Sequence, residues 1–207
     1  MSECGCHAEA SNEAERRILR LALGLNATMF VVGIVAGLIA QSMGLIADSL
    51  DMLADACAYG IGLAAWARSA HFKASAAQLS GILLLILGVG VLLGVVWRVV
   101  KGSHPEGVWM MGIAFVALMV NATVLRLLGR FRHGEVHLRA TWLFTRVDVI
   151  ANAAVILSGA LVLWLHSSVP DLVIGAAIAV YVLKESVSIL REAREAQVAA
   201  AAAITKT

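Results

Sequence analysis

Six apolar runs separated by short polar breaks organise the chain, at about 18–40, 44–66, 76–98, 108–129, 139–165 and 172–190. Each has the length of a helix that crosses a bilayer, about 20 residues. The breaks, Gln41 to Met43, Ala67 to Ser75, Val99 to Gly107, Arg130 to Leu138 and His166 to Asp171, are as short as bundle connections usually are, so neighbouring helices should run antiparallel. The pattern predicts an all-α polytopic membrane protein with six transmembrane helices. Residues 1–16 form an N-terminal arm, 17–191 the transmembrane domain, and 192–207 a short tail whose Ala-rich sequence reads as a fraying helix. The first run is too long for a signal-peptide core and ends in no cleavage site, so it reads as a retained span. The last span opens on Ser168-Val169-Pro170-Asp171, where Ser168 suits the cap, Pro170 the first turn and Asp171 the positive end of that helix's dipole. Gly33-x-x-x-Gly37 and Gly90-x-x-x-Gly94 allow close helix packing, within the bundle or at a subunit interface. No long internal repeat is visible.

Composition sharpens the class. Of 207 residues, 60% are hydrophobic and 14% charged, against roughly 45–50% and about 25% in a soluble domain. The expectation is that no separate soluble domain fits beside six spans. A dispersed net charge of +2 argues against a nucleic-acid partner. Cys4, Cys6 and Cys57 make no disulfide framework. Arg16, Arg17, Arg20, Arg68, Lys73, Arg130, Arg132, Arg139, Arg191 and Arg194 fall at one end of the spans, with only Arg98 and Lys101 at the other. By the positive-inside rule both termini are cytoplasmic, in a membrane read as a bacterial inner membrane.

The chemistry lies in acids inside apolar segments, and four of the fourteen stand out. Asp48, Asp51 and Asp55 fall within about 60° of arc on the second helix. A charge near the bilayer centre costs at least about 2.5–3.5 kcal/mol, and like charges on one face add repulsion, so protons, a cation or basic partners must neutralise them. Asp148 and Asn152 lie one turn apart on the fifth helix. If the two faces meet, Asp51, Asp55 and Asp148 form an oxygen-ligand cluster suited to a divalent cation. The structural alternative, carboxylates paired with Arg146 and with Asn26 or Asn121, offers one basic residue against four acids.

The segment Leu45-Ile46-Ala47-Asp48-Ser49-Leu50-Asp51-Met52-Leu53-Ala54-Asp55 resembles the second-helix signature of the cation diffusion facilitators, and Asp148-Val149-Ile150-Ala151-Asn152 is similar to their fifth-helix pattern. The resemblance runs over all six spans. It implies proton-coupled export of a divalent metal by a homodimer, with Asp51, Asp55 and Asp148 as metal ligands. The metal is cargo, not a resident cofactor. Two departures stand out. Phe144 occupies the position four before Asp148 where many zinc-selective members carry a His or Asp, leaving Asn152, water or Asp48 to complete the shell. The C-terminal cytoplasmic module of many members is also expected to be absent, so dimer contacts should lie in the spans. An all-oxygen set favours harder or octahedral ions over tetrahedral zinc, with Zn, Co, Cd, Fe and Mn all still open.

Secondary signals cluster at the cytoplasmic side. Cys4, Cys6 and His7 offer soft ligands on the arm for capturing metal. His137 lies about three turns before Asp148 on a similar face and marks a possible entry path, whereas His71 and His133 show no ligand spacing. Asn26 and Asn121 suit interhelical hydrogen bonds or support of the metal site. Arg146 either snorkels to headgroups or answers Asp48, and Cys57 reads as core. An uncoupled carrier or channel on the same scaffold is the alternative. A CDP-alcohol phosphotransferase is disfavoured because Met52 holds its final Asp position and no Asp-Gly precedes it. An intramembrane aspartyl protease would need a Gly-Asp pair, which does not occur. The chain therefore reads as a transporter and not an enzyme.

Overall fold

The computed structural model describes residues 4–64, 70–128 and 136–204, with side chains left undescribed at 4–12, 14–15, 64, 70–71, 73, 136–146 and 199–204. Six helices make up the described residues: α1 (Cys4–Ile39), α2 (Met43–Ala64), α3 (Ala70–Lys101), α4 (Gly107–Leu128), α5 (Val136–Leu165) and α6 (Val169–Ile204). They coincide with the six apolar runs but overrun several of them. Where the tail was expected to fray, α6 continues to Ile204, since alanine is the best intrinsic helix former and needs no apolar stripe to stay helical.

Five helices are long and apolar enough to span a membrane on their own, with mean hydropathy of 1.8–2.8; α2 is not among them. Its three aspartates explain this, and the bundle compensates by placing α2 at its centre, in contact with all five other helices. The other five bury only 28–33% of their spans within the bundle, leaving the rest for lipid. On α3, Leu79, Ile86, Leu93 and Val100 recur every seventh residue at 63–74% exposure, a stripe that faces outward along the whole helix.

One end of the bundle is tied together by the α1–α2 turn and the start of α6. Gln41 takes a left-handed conformation (φ 51°), so that the Ser42 and Gln41 amides donate back to the Gly37 and Leu38 carbonyls at 2.9 and 3.3 Å and close α1 in a Schellman motif. Ser42 then caps α2, its Oγ accepting the Leu45 amide at 3.0 Å. Asp171, fully buried, was expected to serve the dipole of its own helix, but its carboxylate turns to α2 instead. It accepts from the Met43 amide (2.7 Å), the Gly44 amide (2.9 Å) and the Ser42 hydroxyl (2.6 Å). At the start of α6 Ser168 holds the N-cap position, its carbonyl accepting the Leu172 amide at 3.1 Å, and the Val169 amide donates to Ser167 Oγ at 3.3 Å. Asp171 turns to α2 because of proximity: a Cβ added to Gly175, one turn on, would lie 2.7 Å from the Met43 carbonyl carbon, so α6 crosses the start of α2 at backbone contact. A carboxylate there meets the positive end of the α2 dipole. Arg98 from α3 joins this end by donating to the Gln41 carbonyl at 2.8 Å.

The small-residue motifs divide. Gly33 and Gly37 pack within the chain, against Ser49 and Ile46 of α2. Gly94 meets Met43 but Gly90 meets nothing, and the close approach of α3 is made instead by Gly81 and Gly88 against Leu190 and Leu183 of α6. Gly175→Ala should consequently destabilise the protein by about 1–3 kcal/mol through overpacking. Gly24→Ala, whose Cβ would meet nothing within 4 Å, should be neutral or mildly stabilising. Thermal unfolding in detergent compares them, and equal Tm values would contradict the backbone contact.

Candidate metal centre

Below the tied end, α2, α5 and α6 leave a cavity of about 180 Å³ between them. Asp51 and Asp55 line it from α2, Asp148 from α5, and Tyr181, Glu185 and Glu192 from α6; among the described residues none that line it is basic. The helix period puts Asp51 and Asp55 one turn apart on the same wall. Asp51 and Asp148 are only 6% and 5% exposed, and one oxygen of each, Oδ2, has no hydrogen-bond partner. Asp148 shares the cavity with both Asp51 and Asp55, and the Tyr59 hydroxyl donates to Asp55 at 3.1 Å. Exposure is graded along the cavity: Asp51 and Asp148 are buried, Asp55 and Glu185 half-buried, and Glu192 exposed. Because α2 and α6 both run away from the tied end, the exposed mouth lies toward the end of the bundle that carries both chain termini.

Among the described residues, no three Asp, Glu, His or Cys side chains already converge as ligands do around a metal. The carboxylates line a space and face one another across it. Like charges drawn to one point with no cation between them would repel, so an arrangement that gathers around an arriving ion is the physically sensible one. Such a wall can take up protons or a cation with hard oxygen preference.

Asp48 and Asn152 do not line this cavity. The Asn152 amide donates to Asp48 Oδ1, and Asn152 Oδ1 accepts from the Asn121 amide at 3.1 Å, a buried chain that joins α2, α5 and α4 one layer nearer the tied end. Since α2 and α5 are antiparallel, Asp48 pairs in height with Asn152 while Asp51 and Asp55 pair with Asp148. Two layers thus come from what the sequence showed as one face on each helix. Asn26 bonds within α1, donating to the Ala22 carbonyl at 3.0 Å. Cys57 is a half-buried free thiol. The side chains of Cys4, Cys6, His7, His71, His137, Phe144 and Arg146, and His133 altogether, lie outside the described residues.

Three lining residues were missed in the sequence: Tyr181, Glu185 and Glu192. Glu185 carried a signal, because it lies inside the sixth apolar run and meets the criterion that singled out the other four acids. Tyr181 and Glu192 carried none beyond helical spacing from it. A sequence model of the cation efflux transmembrane domain matches residues 19–196, from α1 to α6. No curated protein matches the chain.

Proposed function

The chain belongs to the cation efflux family of metal-cation transporters and is an integral membrane protein, and we propose that it exports a divalent transition-metal ion from the cytoplasm in exchange for protons, held by Asp51, Asp55 and Asp148 between α2 and α5. The observation that carries this reading is the cavity itself: acids on three walls, no basic lining residue among those described, and two buried carboxylate oxygens with no partner. Such groups are expensive in a bilayer unless a positive species visits them. The clustering of Arg16, Arg17, Arg20, Arg191 and Arg194 near the open mouth supports a cytoplasmic assignment for that end. On this reading the cavity is the inward-facing entry, and the clasp of Asp171 on α2 closes the outer side. Cys4, Cys6 and His7, on the same inward end, would capture metal for it. The oxygen-only lining favours ions such as Mn(II), Co(II) or Fe(II) over tetrahedral zinc. The likeness to the cation diffusion facilitators supports a homodimer.

Exchange for protons follows from ligand chemistry, since a carboxylate must shed its proton to bind metal and the two compete for the same oxygens. In reconstituted vesicles holding a metal-sensitive dye and with the termini outward, an acidic lumen should speed metal uptake several-fold, and a protonophore should abolish the gain. Uptake indifferent to the pH gradient would leave the uncoupled carrier or channel in its place.

A further inference from the structure

We infer that Glu185 is a direct ligand of the transported cation, so that the site is built by three helices, α2, α5 and α6, and not by two. This rests on the reading above, in which the cavity is the cation site.

Glu185 projects from the middle of α6 into the same cavity as Asp51, Asp55 and Asp148. The charged groups that act on it are Asp51 and Glu192, and it acts in turn on Asp55, so every one of these neighbours is an acid. The two cations of α6 nearest to it do not answer it: Lys184 and Arg191 line a different groove, with Val180, Leu183 and Val187. A half-buried carboxylate held among carboxylates, with Lys184 and Arg191 of its own helix turned away, is costly as structure and useful only when a positive charge is present.

A second observation points to a ligand. Asp51 and Asp148 each present a buried Oδ2 with no partner, and Glu185 borders the space into which they open. Divalent ions with oxygen shells take six or more donors, which favours a fourth carboxylate beside the three aspartates. The fifth helix carries Phe144 where a fourth ligand was looked for; α6 supplies one from the other side of the cavity. The same helix is bonded to the start of α2 through Asp171. A cation joining Glu185 to Asp51 would therefore draw α2 and α6 together at the open end as Asp171 does at the tied end.

Cobalt(II) binding to the purified full chain in lipid nanodiscs tests this. Glu185→Gln should raise the Co(II) Kd by about tenfold or more, as ligand charge count sets affinity in oxygen sites. On a Cys4→Ser, Cys6→Ser, Cys57→Ser background, which removes the chain's own thiols, Glu185→Cys should introduce a thiolate-to-cobalt charge-transfer band absent from that background, a signature that a merely structural role cannot produce. If Glu185→Cys binds Co(II) without the band while Asp51→Asn abolishes binding, the site is confined to α2 and α5 and the inference fails alone. If Asp51→Asn binds Co(II) as tightly as the unsubstituted protein, the underlying assignment of the cavity fails with it.

Discussion

Vesicles carrying Asp51→Asn are expected to accumulate metal at the background rate. The fall should exceed about 100-fold, since even residues that only support a metal's ligands cost 10–100-fold when changed. Asp51 is 6% exposed, has a free Oδ2 and shares the cavity with Asp148. Asparagine keeps its shape and removes its charge, so a loss of flux reports ligation and not packing. Asp148→Asn should behave alike. Asp48→Asn is the contrast, because Asp48 serves as acceptor for the Asn152 amide off the cavity, and an asparagine carbonyl can accept the same bond. Its flux should stay within several-fold of the unsubstituted protein. Metal flux in the three variants, with equilibrium binding beside it, is the measurement. Loss of transport in Asp48→Asn with retention in Asp51→Asn would move the site up one layer.

Asp171→Ala should be the most destabilising single change in the bundle, by about 3–5 kcal/mol, because three buried donors lose their acceptor together and each orphaned group costs about 1–3 kcal/mol. The donors are the Met43 and Gly44 amides and the Ser42 hydroxyl, and the two amides belong to the first turn of α2, where no intrahelical acceptor exists. Asp171→Asn should fall between, keeping one acceptor and losing the charge that meets the α2 dipole. Thermal unfolding in detergent reads the order, and an unchanged Tm for Asp171→Ala would mean that water replaces the carboxylate at no cost.

The helices were legible because a bilayer-length apolar run admits few other structures, and the acids of α2 and α5 because charge is costly in such runs. Height was not legible. Asp148 and Asn152 share a face by helical period, but which of them meets Asp51 depends on how α2 and α5 slide past each other, and no local spacing encodes that. Glu185 was hidden by its neighbour: Lys184 beside it makes the pair look like a solvated helix end, although one residue is about 100° of arc on a helix and sends the lysine into another groove. Asp171 satisfied a local rule, an acid in the first turn of a helix, so nothing in its surroundings announced a partner more than a hundred residues away. Gly90-x-x-x-Gly94 had the motif but not the contact, since Gly90 faces outward.

The position of α2 bears finally on how the protein is made. Alone among the six it lacks the composition to enter lipid unaided, and each of its aspartates costs at least about 2.5–3.5 kcal/mol on the scale that describes insertion. It follows α1 through a turn of only three residues and lies against Gly33 and Gly37. During synthesis it must therefore enter the membrane as the second arm of a hairpin led by α1. In the folded bundle α5 and α6 cover its acidic face. The helix that brings Asp51 and Asp55 to the cavity is thus the one whose acidic face is covered by helices that come later in the sequence.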